Sequence, residues 1–385
     1  MSLGLPFVAW PFVGWLVYWL ALLLLGYTYL GYPALLLLWA RWRPQPAFKA
    51  SYEPFVSVVL AAHNEERHLA AKLDNLLALD YPTDQRELIV VSDGSTDATS
   101  TIAAQYADRG VLLVPLAPQA GKPTALNQGV ARARGEIVVF CDVRQRIAPP
   151  ALRALLSAFA DPRVGAVSGE LTLPTTRGPG LYWRYERALR HAESTIDSTV
   201  GATGAFYGIR RLLFQPLPAS CLLDDVFTPL QIAMRGYRVL LEPAAQVEDE
   251  EAPLAGEFAR KARTLAGNYQ LLQQLPGLLD PQRNRLLFQF VSHKLLRLAC
   301  PFALLLLLVT NVALLAHGAC CGGWYALTLL GQLTVYGLAA RAAWGRSPAG
   351  GIARACHTFV VLNAAAAAGL WRFLTGQLGW TTHRG

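Results

Sequence analysis

The chain is short of charge. Only 16% of its 385 residues are Asp, Glu, Lys or Arg, while 53% are hydrophobic and mean hydropathy is +0.30. A soluble globular chain carries about 25% charged residues, so the shortfall argues against a wholly soluble protein and assigns part of the chain to lipid. No Lys or Arg precedes Arg41. The six cysteines form no C-x-x-C pair, which removes the zinc and disulfide frameworks. The net charge is +8, yet no stripe of interleaved basic and aromatic residues crosses the polar middle, so nucleic acid is not an expected partner. There is no internal repeat and no low-complexity linker. The length allows one soluble domain plus several membrane spans.

What is present begins with the spans. Residues 11–39 are nearly continuous apolar sequence, longer than the roughly 20 residues a bilayer requires. They lack the basic start and cleavage site of a signal peptide. Three further spans are expected at 298–316, 324–340 and 352–371. Arg41 and Arg43 follow the first span, and the 341–354 loop is basic, whereas the 317–323 loop has no Lys or Arg. The positive-inside bias then gives four spans with both termini outside and the polar middle cytosolic. A bacterial inner membrane suits that layout. Lys294 and Arg297 belong to the basic residues at the membrane edges, where anionic headgroups attract them. Residues 282–296 read as an amphipathic helix lying in the headgroup plane, or as the lead-in turn of the next span. The expected domains are an N-terminal span (1–42), a cytosolic domain (50–280), an interface helix (281–297) and three C-terminal spans (298–385). Asn311 and Asn363 are the polar residues inside the clean spans, too few for a transport path.

The polar middle alternates short apolar runs with amphipathic stretches. Strands are expected at 55–62, 87–92, 111–115, 136–142 and 164–173, and helices at 65–79, 96–109, 122–134 and 150–159. That pattern predicts an α/β domain with a mostly parallel sheet and helices on both faces. Such sheets bind ligands beyond the carboxyl ends of their strands, and acidic residues stand at those places. Glu65 follows the first strand in Ala62-His63-Asn64-Glu65-Glu66. Asp93 ends the second in Ser92-Asp93-Gly94-Ser95-Thr96-Asp97, and Asp142 closes a later one in Phe140-Cys141-Asp142. Asp224 and Asp225 open a helix further on. Each acid alone could be a helix cap. Together, Glu65 and Asp93 suit a common crevice in which carboxylates accept hydrogen bonds from a base and ribose hydroxyls. Lys122, at a helix start, is a plausible anion site.

In these motifs the sequence resembles the membrane-integrated family 2 glycosyltransferases, which include cellulose, hyaluronan, chitin-oligosaccharide and poly-N-acetylglucosamine synthases. The resemblance runs from about residue 10 to 300 or beyond. It implies a GT-A-like nucleotide-sugar fold in which Glu65 and Asp93 hold the nucleotide's base and ribose. It also sets Lys122, in Gly121-Lys122-Pro123-Thr124-Ala125-Leu126-Asn127, near the phosphates. Asp142 corresponds to the first acid of an Asp-x-Asp metal motif, but Arg144 stands where the second belongs. Mg2+ or Mn2+ on Asp142 is therefore expected with weakened dependence, because a guanidinium can fork onto diphosphate oxygens itself. Gly204, Ala205 and Phe206 fall in the acceptor-site segment. Asp225 matches the general base of an inverting transfer, supported by Asp224. Arg260 and Arg263 match the processive members' basic motif and would steady the leaving diphosphate, although Thr264 replaces the usual Trp.

The expected activity is transfer of a sugar from a nucleotide donor, with uracil as the base the resemblance implies, to a growing polysaccharide or oligosaccharide, coupled to export. Transfer of one sugar to a membrane lipid stays open. So does a catalytically impaired, nucleotide-sugar-binding scaffold subunit, for which Arg144 is the best support. The expected partners are the donor, a carbohydrate or lipid acceptor and the bilayer, with a homo-oligomer or export partner left open.

Overall fold

The computed structural model describes residues 6–172, 180–249, 257–318, 321–344 and 351–377. Helix α1 (Pro6–Gly26) passes through a π-helical turn into α2 (Tyr32–Trp42). The α/β portion then runs β1 (Val56–Ala62), α3 (Leu69–Leu77), β2 (Arg86–Asp93), α4 (Thr99–Gln105), β3 (Val111–Leu116), α5 (Lys122–Arg132), β4 (Ile137–Cys141), β5 (Arg146–Ile147), α6 (Ala151–Ser157) and β6 (Val164–Thr172). It continues through α7 (Leu181–Ile196), β7 (Phe206–Arg210), α8 (Asp224–Met234), β8 (Arg238–Glu248) and α9 (Glu257–Gln274). The short α10 (Leu287–Gln289) leads to α11 (Leu296–Ala316), α12 (Gly322–Trp344) and α13 (Gly351–Leu374).

The eight strands lie in the order β3-β2-β1-β4-β7-β6-β8-β5. β1 pairs in parallel with β2 and β4, and β2 with β3. The chain thus winds outward to β3 and then returns to the other side of β1. That reversal opens a crevice beyond the carboxyl ends of β1 and β4. The expected mostly parallel α/β sheet is present, with β7 inserted antiparallel between β4 and β6.

Period-two alternation explains why helices cover both faces. Val58 and Leu60 of β1 pack with Leu69, Leu73 and Leu76 of α3 and Leu155 of α6 in one core. Val59 of the same strand points the other way, to Ala125, Leu126 and Val130 of α5 and Leu230 of α8. Two expected helices start late because their leading residues build turns instead. Asn64 has a positive φ, the Glu65 and Glu66 amides donate to Thr99 Oγ1 and Asp97 Oδ2, and α3 begins only at Leu69. Asp97 Oδ1 accepts the Thr99 amide, which caps α4 at that point.

Three helical runs, Phe12–Trp42, Leu287–Ala316 and Gly351–Leu374, are long and apolar enough to cross a membrane. The third expected span is a helix, α12, but it is less apolar and falls outside those three. Its Thr328 hydroxyl meets Tyr18 Oη at 3.0 Å, and Gln332 donates to the Leu304 carbonyl. The interface helix expected at 281–297 is not a separate element: its residues from Leu287 onward belong to the run that ends at Ala316. The continuous run Leu287–Ala316 fits the other expectation, a lead-in to the next span, and Phe290 and His293 are buried within it. Residues 345–350 of the basic loop, and 378–385, lie outside the described residues.

The helix α9 lies against α13. A Cβ added at Gly369 of α13 would come within 2.9 Å of the Ala266 nitrogen and 3.0 Å of the Ala262 oxygen. Glycine is what allows the two backbones to approach so closely. Gly369→Leu is expected to separate α13 from α9 at a cost of about 1–3 kcal/mol. Thermal unfolding of the detergent-solubilised protein should show a lowered midpoint, and an unchanged midpoint would contradict the close crossing.

Candidate active site

The crevice beyond β1 and β4 collects side chains from several elements. A Cβ at Gly94 would lie 2.5 Å from the Gln119 nitrogen, and φ there is +61°. Only glycine fits a turn so close to the loop before α5. Asp93, 3% exposed, fixes that loop: its Oδ1 accepts the Ala120 amide at 2.7 Å and its Oδ2 the Gly121 amide at 2.9 Å. α5 then starts at Lys122, which points into the acids.

Lys122 Nζ lies 3.0 Å from Asp142 Oδ1, just past β4, and 3.3 Å from Asp224 Oδ1, at the start of α8. Burial alone would lower the Lys122 pKa, but Asp142, Asp224 and Asp225 outweigh it and hold the ammonium above the usual lysine range. Tyr207 of β7 reaches Asp224 Oδ2 at 3.5 Å. The next acid, Asp225, accepts the Gly204 amide on Oδ2 at 3.0 Å. Burial, and then the charge of Asp224, push the Asp225 pKa up to about 6, against the opposing pull of Lys122. A carboxyl so poised suits proton transfer near neutral pH.

Arg263 of α9 stands in the same field. Burial depresses its pKa, and Asp224 and Asp225 counteract that. Arg260, one turn earlier, is exposed. The Glu65 carboxylate is held by Arg144, whose Nε and Nη2 approach Oε1 at 3.1 and 3.0 Å. Arg144 is 63% exposed, so the pair is weak and exchangeable. Of the acceptor segment, Gly204 borders the crevice, whereas Ala205 and Phe206 are buried in the core and present no side chain to it.

Among the described residues, no three His, Cys, Asp or Glu side chains converge as a metal site. Asp142 Oδ1 meets the Lys122 ammonium at 3.0 Å, and Arg144 is turned onto Glu65. A preformed divalent site does not fit this donor set, although Mg2+ commonly uses one or two carboxylates with substrate phosphates.

Sequence reasoning placed Tyr207 at the end of the acceptor segment but not beside Asp224, because nothing local ties a strand tyrosine to an acid met 17 residues later. It also left α7 unassigned, though Leu189, Ala192 and Ile196 repeat at helical spacing and pack against Tyr32 and Leu36 of α2.

The wound sheet, the strand-end acids and the lysine at the head of α5 define a GT-A-like glycosyltransferase fold. Residues 57–215 match the family model Glycosyl transferase family 2. The chain is 37% identical over 276 residues to the β-monoglucosyldiacylglycerol synthase of Nostoc sp., covering 66% of this chain and 58% of that one. It is 25% identical over 232 residues to the poly-β-1,6-N-acetyl-D-glucosamine synthase of Staphylococcus aureus, covering 56% and 55%. The chain thus spans little more than half the length of these curated relatives. Among solved structures, the mannosyltransferase PcManGT of Pyrobaculum calidifontis, in complex with GDP-Man and Mn2+, superimposes with a TM-score of 0.73 at 27% identity, covering 94% of this chain and 99% of that one.

The activity is expected to rise with pH through about 6, as Asp225 ionises. Lys122→Gln removes the cation that favours the carboxylate, so it should move this acid limb to higher pH. A pH–rate profile checks both; an acid limb near the ordinary Asp range of about 4 would count against Asp225 as base.

Proposed function

We propose that the chain transfers one sugar, with inversion, from a nucleotide-sugar donor to a hydroxyl of a membrane lipid. The observation that carries the transfer is Asp225: a half-buried carboxylate whose pKa is raised to about 6, beside a lysine and an arginine suited to a diphosphate. Asp225 takes the acceptor hydroxyl's proton. The acceptor oxygen bonds to the anomeric carbon from the face opposite the diphosphate. The bond from that carbon to the diphosphate oxygen breaks, and its electron pair leaves on the nucleoside diphosphate. Lys122 and Arg263, with Arg260 behind, receive that charge, and Asp224 holds Lys122 in place. Glu65 and Asp93 line the nucleotide end. Asp93 does so through the loop it fixes.

The lipid acceptor, rather than a growing polysaccharide, is favoured by the way α9 rests on α13. The helix carrying the arginines is seated on membrane-type helices, and Thr264 removes the aromatic platform of a polymerase. The monoglucosyldiacylglycerol synthase relative supports the same reading, and no export partner or oligomer is needed for it. Arginines following the first span support a cytosolic domain on an inner membrane. The donor's base is uracil by the motifs, with guanine kept in view by the GDP-Man relative. Arg144 in place of a second acid reduces dependence on a divalent cation, though the Mn2+ of the solved relative supports some role for one.

Nucleotide release from a panel of UDP- and GDP-sugars, with lipid product identified by mass, tests this. Asp225→Asn should lose about 10²–10⁴-fold in turnover. A polymeric product would replace the lipid reading, and turnover unchanged in Asp225→Asn would remove the base. In chelator the wild type should keep measurable activity that Arg144→Ala loses. Complete loss in wild type, with a near-normal Arg144→Ala under Mg2+, would refute the substitution.

A further inference from the structure

A second concavity lies on the membrane side of α9 and encloses about 460 Å3. Every membrane-type helical run borders it. Tyr29 comes from the turn after α1, Glu186 from α7, His293, Lys294 and Arg297 from the run into α11, and Asn363 from α13. Asn363, the polar residue the sequence sets inside the last span, reaches Tyr29 Oη with its Nδ2 at 3.2 Å. Thr264 of α9 also faces this cleft. An indole at that position would take up space the cleft now leaves open.

The charges in the cleft are unevenly matched. Glu186 is the anion among its lining residues, and it is already engaged by His293 Nε2 at 3.2 Å and by Arg297 Nη1. Arg297 uses one nitrogen there. Its Nε and Nη2, the paired edge that grips carboxylates and phosphates side-on, have no hydrogen-bond partner among the described residues. Lys294 makes no hydrogen bond or ion pair among the described residues, whereas Lys261, the third cation, is paired with Glu257 Oε1 at 3.3 Å. A cleft with an unpaired ammonium and an open guanidinium edge, bordered by apolar helices, is matched to a ligand with an anionic head and an apolar tail. It also adjoins the chemistry, because α9 brings Lys261 and Thr264 to the cleft and carries Arg263 between them.

We propose that this cleft seats an acceptor lipid whose headgroup carries both a phosphate and a free hydroxyl, with Lys294 and Arg297 holding the phosphate and the hydroxyl directed to Asp225. The proposal rests on the lipid-acceptor reading above and adds the class of lipid. A neutral diacylglycerol would leave the cations unmatched, whereas a glycerophospholipid with a hydroxylated head satisfies them.

The test is binding, read by thermal shift of the full chain in mild detergent. The probes are dioctanoyl phosphatidylglycerol, dioctanoylglycerol and inorganic phosphate, each titrated against wild type, Lys294→Gln, Lys294→Arg and Asp225→Asn. Phosphatidylglycerol should bind wild type and Asp225→Asn alike, bind Lys294→Gln about 10-fold or more weakly, and recover in Lys294→Arg. Dioctanoylglycerol should bind more weakly and ignore the substitutions. Unaltered phosphatidylglycerol affinity in Lys294→Gln overturns the proposal. Inorganic phosphate binding as tightly as the lipid assigns the site to a free anion and overturns it too. If Lys294→Gln does not fold, wild type decides alone, since equal affinity for the two lipids removes the phosphate from the proposal. That result leaves the lipid-acceptor reading standing. Binding of neither lipid overturns the proposal and removes that reading with it.

Discussion

Asp142, Asp224 and Asp225 arrive from two separate elements, and like charges gathered in a buried crevice repel one another unless a cation stands among them. Lys122 supplies it, within 3.0 Å of Asp142 and 3.3 Å of Asp224. The rest of the site is arranged around keeping that ammonium there. Asp93 holds the loop that starts α5, the Gly94 turn lets that loop approach, and Tyr207 steadies Asp224 from the sheet. Asp225 is then set apart from its neighbours: it accepts the Gly204 amide on Oδ2, and its pKa is raised to about 6.

The same constraint reaches the membrane helices through packing. A Cβ at Gly267 of α9 would meet the Leu223 side chain at 2.5 Å, so α9 is locked against the residue that precedes Asp224. On its other side α9 is locked to α13 at Gly369. Arg263 and the acids are therefore positioned by a helix clamped between the α/β portion and an apolar helix. Thr264 and Lys261 on that helix border the membrane-side cleft, and Arg263 lies in the field of the acids. One element thus has the donor side and the cleft as its two neighbours.

The places where local reading succeeded and failed have physical causes. β1 and β4 were legible because a strand covered on both faces must be apolar at nearly every position. Asp93, Asp142 and Asp225 were legible because each ends or opens such an element. The beginnings of α3 and α4 were misjudged because Asn64, Glu66 and Asp97 spend their hydrogen bonds on each other's turns. The 281–297 segment looked like a surface helix because its charges and apolar residues alternate at helical spacing. In the fold Phe290 and His293 of this segment pack into the protein, and the segment continues into α11.

The sequence by itself determined the α/β class, the apolar runs, the acids at strand ends and the departure at Arg144, since each is written in periodicity or in a short contiguous motif. Only the tertiary structure decided that β7 enters the sheet antiparallel, that Arg144 forks onto Glu65, and that Ala205 and Phe206 turn into the core. It alone gathered Tyr29, Glu186, Lys294 and Asn363 around one cleft. Those outcomes depend on contacts between residues tens to hundreds of positions apart, and such contacts leave no trace in local spacing.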